Sequence, residues 1–179
     1  ALLVSIAAGI GTASIASWTQ HPFIVRAMPN TPVKIQAGVT ALFANAAVSE
    51  LQRASAESLF SSLGKTLWLD DESLMDVVTA ISGSGPAFVF YFMEAMIESA
   101  TALGLPLVDA ILLVQETFFG AALLAKQSAN NIEQLREEVT SPGGTTAVGL
   151  SVLEQAQVKA ILIKVGKATV LRARELGKI

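Results

Sequence analysis

The sequence predicts a chain in two parts, an α/β segment over residues 1–70 and an all-helical segment over residues 71–179. Three observations carry this. Short runs rich in Val, Ile and Leu, set apart by turn residues, are confined to the first part. Beyond Asp70 the apolar runs have helical length and begin at helix-start residues. The 179 residues are 52% hydrophobic, enough to bury a large core and leave an apolar face over.

In chain order, the strand candidates are "LLVSIA", "FIVRAM", "GVTALFA" and "TLWLD". A helix is predicted between the last two. Ser49 and Gln52 have capping-box spacing, Gly64 supplies the stop, and Leu51, Ala54, Leu59 and Leu63 form the inward face. "DDESLMDVVTAI" opens the helical part with acidic residues, which suit the positive end of a helix. A new helix is expected after "SGSGP", capped by Ser84 or Gly85, with Pro86 in its first turn and Gly104 at its end. Further helices follow: Pro106 to about Gln127, "NIEQLREEV", the segment after Gly144, and "QVKAILIKVGKATVLRAREL".

The Pro106–Gln127 helix is apolar almost all round, interrupted strongly only by Asp109, Gln115 and Glu116. A helix apolar on every side must be covered on every side. The cover is expected from a second copy in an obligate interface; the alternative is a tightly packed monomeric bundle.

Composition excludes several functions. A formal charge of -3 lends no support to nucleic-acid or membrane-surface binding. With no cysteine and His21 as the sole histidine, disulfides, thiolate chemistry and Cys/His metal clusters are excluded, and no metal site is expected. The lack of cysteine suits a cytoplasmic protein. Glu94 and Asp109 interrupt the two most apolar helices, so neither is expected to span a bilayer. "ALLVSIAAGIGTASIA" has no initiator Met and no charged leader, and reads as a strand entered without its preceding neighbours, so a truncated chain is expected.

Most motifs are weak. Gly9 and Gly11 follow a strand, but Ser14 breaks G-x-G-x-x-G and no acidic residue precedes Glu50, which leaves an ordinary βα turn. "GSGPAF" fails the same pattern and "GGTTAV" lacks the P-loop lysine. Ser84 is not in a G-x-S-x-G elbow and has no evident base. Asp70, Asp71 and Glu72 read as a solvated helix start rather than a cation site, and the cations of the last helix as a polar face.

"TSPGGTTAVGL" is stronger. Pro142 stiffens the loop, Gly143 and Gly144 allow close backbone approach, and Thr145 or Thr146 begins a helix. These residues fit two readings: an elaborate cap, or a concave donor site for a small carboxylate at a positive helix end.

"LREEVTSPGGTTAVGLSVLEQ", together with "VSIAAGI", "RAMPNTPVKIQAGVTAL" and "DVVTAISGSGPAFVFYFMEAM", resembles the pyrroline-5-carboxylate reductase family, in the family's order and over essentially the whole chain. The resemblance implies that residues 1–70 are the later part of a Rossmann-type nucleotide-binding domain. It implies that residues 71–179 form an all-α dimerisation and substrate-binding domain. The implied activity is reduction of Δ1-pyrroline-5-carboxylate to L-proline with NADPH or NADH, the last step of proline biosynthesis, by a cytoplasmic homodimer or larger oligomer. No nucleic-acid or membrane partner is implied.

By the same resemblance, Ser141, Gly143, Gly144, Thr145 and Thr146 hold the substrate. Thr79 faces the imine nitrogen as proton donor or orienting group. Ile6, Ala7, Ala8, Met28, Pro29, Asn30 and Thr31 line the nicotinamide. A related dehydrogenase using a lysine acid or base is disfavoured, since no Lys lies between Lys65 and Lys126. The family's G-x-G-x-x-[AG] phosphate turn is missing from these residues, so weak or absent activity of the fragment is expected; the alternative is a non-catalytic helical oligomerisation module.

Overall fold

The computed structural model describes residues 1–177. They fall into two units, one of residues 1–87 with the chain from Ile163 onward, the other of residues 88–162.

The first unit is built on a four-stranded mixed sheet in the order β1 (Leu3–Ser5), β2 (Ile24–Pro29), β3 (Gly38–Ala44), β4 (Gly64–Trp68). β1 and β2 are parallel, β2 and β3 antiparallel, β3 and β4 parallel. Each predicted strand is present. Helix α1 (Thr12–Thr19) follows β1 after the Gly9–Gly11 turn, as an ordinary βα unit. A 3₁₀ turn, Thr31–Ile35, links β2 to β3.

Strand alternation sends β2 to two layers. Val25 and Ala27 join Leu42, Ala44, Ala56 and Phe60 in a buried cluster beneath α2 (Glu50–Ser61). Ile24 and Arg26, also buried, alternate with them. Helix α2 starts at the expected capping box: Ser49 accepts from the Gln52 amide, and Gln52 accepts from the Ser49 amide at 2.9 Å.

Two expectations for α2 are corrected. Its inward residues are Ala56 and Phe60, while Leu51 (79% exposed), Ala54 and Leu59 point outward, because the sheet selects the face that meets Val25 and Leu42. Leu63 does pack against the cluster. Gly64 does not end the helix, which stops at Ser61; it opens β4 at φ +144, where a Cβ would lie 2.1 Å from the Gly38 carbonyl oxygen.

The break expected at "SGSGP" is also corrected. Helix α3 (Leu74–Val78) continues through a π-helical turn, Thr79–Gly83, into α4 (Gly85–Ala102). The Ser84 amide donates to the Thr79 carbonyl at 2.9 Å, a five-residue step, so one extra residue is absorbed without a new start and no cap by Ser84 or Gly85 is needed.

The second unit holds most of α4, then α5 (Leu107–Gln127), α6 (Ile132–Glu138), α7 (Thr145–Gln155) and the beginning of α8 (Val158–Leu176). Helix α6 opens with a second capping box, Asn131 with Gln134. Only Ala110 and Val114 of α5 are buried, and Leu112, Leu113, Phe119 and Leu124 lie open on the single chain. The stretches Leu74–Ala102 and Leu107–Gln127 are long and apolar enough to cross a bilayer by length and composition. Glu94 and Asp109 are therefore too few to exclude a span by themselves.

Candidate functional site

In the first unit the parallel pair β1 and β2 delivers two predicted segments to one sheet end. Ser5 is paired with Arg26, so the chain leaves β1 through Ile6, Ala7 and Ala8 beside the stretch that ends β2 at Met28 and Pro29. Ligands of open α/β sheets bind at such carboxyl ends. Ile6, Ala7 and Ala8 are exposed, and Met28, Pro29 and Asn30 are half-buried, which gives a mainly apolar surface suited to a flat ring. Asn30 also serves the fold, since its Oδ1 accepts from the Val39 amide at 3.0 Å and fixes the link to β3. Thr31 is exposed and begins the 3₁₀ turn.

Thr79 opens the π-turn that packs on β2. Its hydroxyl donates to the Met75 carbonyl at 2.8 Å and keeps lone pairs for accepting. Gly83, four residues on, receives Met28: a Cβ there would lie 2.6 Å from the Met28 methyl and 3.8 Å from Thr79 Cγ2. The structure thus brings Met28 and Thr79 to one place. Within the π-turn, Ser82 Oγ is buried with no hydrogen-bond partner.

In the second unit the "TSPGG" loop turns tightly into α7. The Gly144 amide donates to the Ser141 carbonyl at 3.0 Å, and Gly143 takes φ +71, a conformation that favours glycine. Helix α7 has Gly144 as N-cap and no side-chain cap. The Val148 amide is the first to reach back, to Gly144. Among the described residues, no backbone carbonyl takes the amides of Thr145, Thr146 or Ala147, and the side chains of Ser141, Thr145 and Thr146 are exposed beside them. Those amides are the open donors of a helix start without a side-chain cap, free for water or for a guest. Ser141, Gly143, Thr145 and Thr146 are exposed and Gly144 is half-buried. Two cavities of about 250 and 240 Å³ lie in this unit beside Arg136 and Leu150; the first reaches the start of α8 at Val158, and the second reaches Thr140 and Ala147.

Sequence reasoning missed the Glu72 cluster. Glu72 accepts from Arg26 Nη1 at 2.9 Å, from the Thr12 amide at 2.7 Å and from Thr12 Oγ1 at 2.9 Å. Glu72 is thus no mere solvated helix start. The available signal was Arg26 itself, since a cation inside an apolar strand requires a buried partner. Asp71 caps locally: the Ser73 hydroxyl and amide both donate to it and hold its carboxyl below the ordinary aspartate range. No group of three or more His, Cys, Asp or Glu able to hold a metal occurs among the described residues.

Comparison with known proteins adds an independent finding. The family model described as pyrroline-5-carboxylate reductase dimerisation matches residues 72–176. The chain is 43% identical to the pyrroline-5-carboxylate reductase of Pseudomonas aeruginosa, over 99% of its own length and 65% of the relative's. For the Synechocystis enzyme of the same name the figures are 41%, 99% and 66%. The chain thus spans a little under two thirds of these relatives. Among solved structures, a pyrroline-5-carboxylate reductase from Coxiella burnetii matches with a TM-score of 0.94 at 44% identity, covering 99% of this chain and 66% of that one. The Plasmodium falciparum pyrroline carboxylate reductase, solved with NADP bound, matches with a TM-score of 0.92 at 32% identity, covering 99% and 71%.

Proposed function

The chain belongs to the pyrroline-5-carboxylate reductase family, and from that premise we propose that it carries the nicotinamide-facing and substrate-facing parts of an NAD(P)H-dependent reductase of Δ1-pyrroline-5-carboxylate. In this reading residues 1–70 are the later part of the nucleotide-binding domain. Residues 71–179 are the dimerisation and substrate-binding domain, and the family match over residues 72–176 supports that assignment. The observation that carries the reading is the set of unpartnered amides at Thr145, Thr146 and Ala147 behind a glycine turn.

The substrate is a cyclic imine with one carboxylate. The carboxylate takes the α7 amides and the hydroxyls of Ser141, Thr145 and Thr146. Each charge-assisted bond contributes about 1.5–3 kcal/mol, and about 4 kcal/mol corresponds to millimolar binding. The loop therefore positions the acid, and further contacts must hold it. Ile6, Ala7, Ala8, Met28, Pro29 and Thr31 form the wall on which a nicotinamide lies. When bound, NADPH or NADH supplies the hydride that adds to the C=N carbon, while the ring nitrogen gains or keeps a proton and L-proline results. Thr79, as an acceptor with its own proton committed to Met75, orients the protonated nitrogen. Positioning of this kind supplies most of the acceleration, because a held pair reacts at a very high effective concentration.

These residues contain no dinucleotide phosphate turn, so weak cofactor binding is expected of them alone. The partner is a second copy, seated on the open apolar side chains of α5, in keeping with the family's dimerisation description. The lack of cysteine accords with a cytoplasmic setting. The test follows NADPH and NADH oxidation with Δ1-pyrroline-5-carboxylate in the 179-residue chain, alongside NMR titration with L-proline. Proline-dependent shifts at Thr145–Ala147 are expected. No shift there at tens of millimolar proline would remove the substrate assignment.

A further inference from the structure

We propose that Glu72 is a positioning residue that fixes the loop Ile6–Gly11, and with it the nicotinamide-facing wall, to strand β2. The inference rests on the reading of that loop given above, but its structural part stands separately.

The loop is tied to Arg26 at both ends. At its start, Ser5 pairs with Arg26 through the parallel ladder of β1 and β2. At its end, Thr12 gives both its amide and its hydroxyl to Glu72, whose Oε1 also takes Arg26 Nη1. The segment between is a short circuit closed on one arginine. Met28, two residues along the same strand, belongs to the same wall.

Helix α1 needs this outside help. Its N-cap is Gly11, which has no side chain to satisfy the first amides. A carboxylate 60 residues away takes the role, and a negative charge there also suits the helix dipole. The same residue begins the stretch that carries Thr79. The Met75 amide donates to the Glu72 carbonyl at 3.0 Å, and Thr79 donates to the Met75 carbonyl. Loop, strand and Thr79 helix therefore share one residue. All of these residues lie in the first unit.

The test uses the double variant Arg26→Met with Glu72→Ala in the 179-residue chain. Removing both charges avoids stranding a buried cation, so the fold is expected to survive. Two quantities are measured: heteronuclear NOE values of Ile6–Gly11, and KM for NADPH against KM for Δ1-pyrroline-5-carboxylate. The expected result is a loop that becomes mobile on the picosecond-to-nanosecond scale. KM for NADPH should rise at least about tenfold while substrate KM moves less than about twofold. A folded double variant with unchanged loop order overturns the proposal, as does a mobile loop with unchanged NADPH KM. If the unaltered chain shows no turnover, the loop values still decide whether Glu72 positions the segment, and the missing turnover counts against the reductase reading alone.

Discussion

Arg26 Nη1 lies 2.9 Å from Glu72 Oε1, with the arginine side chain 7% exposed and the glutamate 28%. This pair joins β2 to the chain just ahead of α3. It follows that the two charges should be more costly to break than to remove together. Glu72→Ala alone strands a buried guanidinium and is expected to cost about 3 kcal/mol, the lower end for buried pairs because water still reaches Glu72. Adding Arg26→Met should recover part of that, the Thr12 amide and hydroxyl still lacking their acceptor. Urea unfolding of the single and double variants checks the sign of the difference.

Gly83 and Met28 make the second prediction. A Cβ at Gly83 would meet the Met28 methyl at 2.6 Å, the far end of a flexible side chain. Gly83→Ala should therefore fold with a loss of at most about 1 kcal/mol, because Met28 can swing aside. Swinging it changes the nicotinamide wall, so cofactor KM should rise while the melting temperature barely moves. Thermal unfolding beside steady-state kinetics separates the two effects.

How far the sequence revealed this arrangement depended on the range of each interaction. The Ser49–Gln52 box was legible because donor and acceptor are three residues apart, and the strands were legible from their composition. The buried face of α2 was not, since Ala56 and Phe60 are selected by the sheet while Leu51 and Leu59 are left outside. The π-turn was hidden because "SGSGP" carries ordinary breaker residues, whereas the Ser84 amide reaches the Thr79 carbonyl and the helix carries on. The donor loop was legible because its glycines, its hydroxyls and the open amides of the helix start all lie within residues 141–147. Arg26 and Glu72 are 46 residues apart, and no local spacing joins them.

Gly143 supplies a third prediction. It holds φ +71, and a Cβ there would meet nothing within 4 Å. Gly143→Ala therefore costs only backbone strain, about 1–2 kcal/mol, with no clash. The chain can relieve that strain by rotating the turn, which would aim the α7 amides away from a carboxylate. Proline-induced shifts at Thr145–Ala147 should need at least about tenfold more ligand, since losing one charge-assisted bond is worth about that factor.

Asp71 gives a pH-dependent prediction. Hydrogen bonds from the Ser73 hydroxyl, and then from its amide, lower the aspartate pKa in the folded state. A lowered folded pKa means that the bonds stabilise the fold above the unfolded pKa and that this contribution fades as pH falls through the folded one. Ser73→Ala removes the larger cause, so the Asp71 carboxyl should titrate closer to its ordinary value of 3.8. NMR titration of the side-chain carboxyl below neutral pH reads the change directly. An unaltered midpoint in the variant would assign the lowering elsewhere.

The last prediction concerns the open face of α5. Phe119 is 64% exposed and Leu112 58% exposed on the single chain. Full burial of one such side chain is worth about 1.5–3 kcal/mol, so leaving several in water is unfavourable unless something covers them. A second copy, which the dimerisation match suggests, and a bilayer, which length and composition allow, are the two candidates. They make opposite predictions. If a second copy covers the face, the purified chain sediments as a dimer or larger without detergent, and Phe119→Glu with Leu112→Glu shifts it toward monomer. If a bilayer covers it, the chain partitions into vesicles and is monodisperse only in detergent. The dimerisation match over residues 72–176, which includes all of α5, favours the first outcome. Sedimentation velocity with and without detergent decides between them.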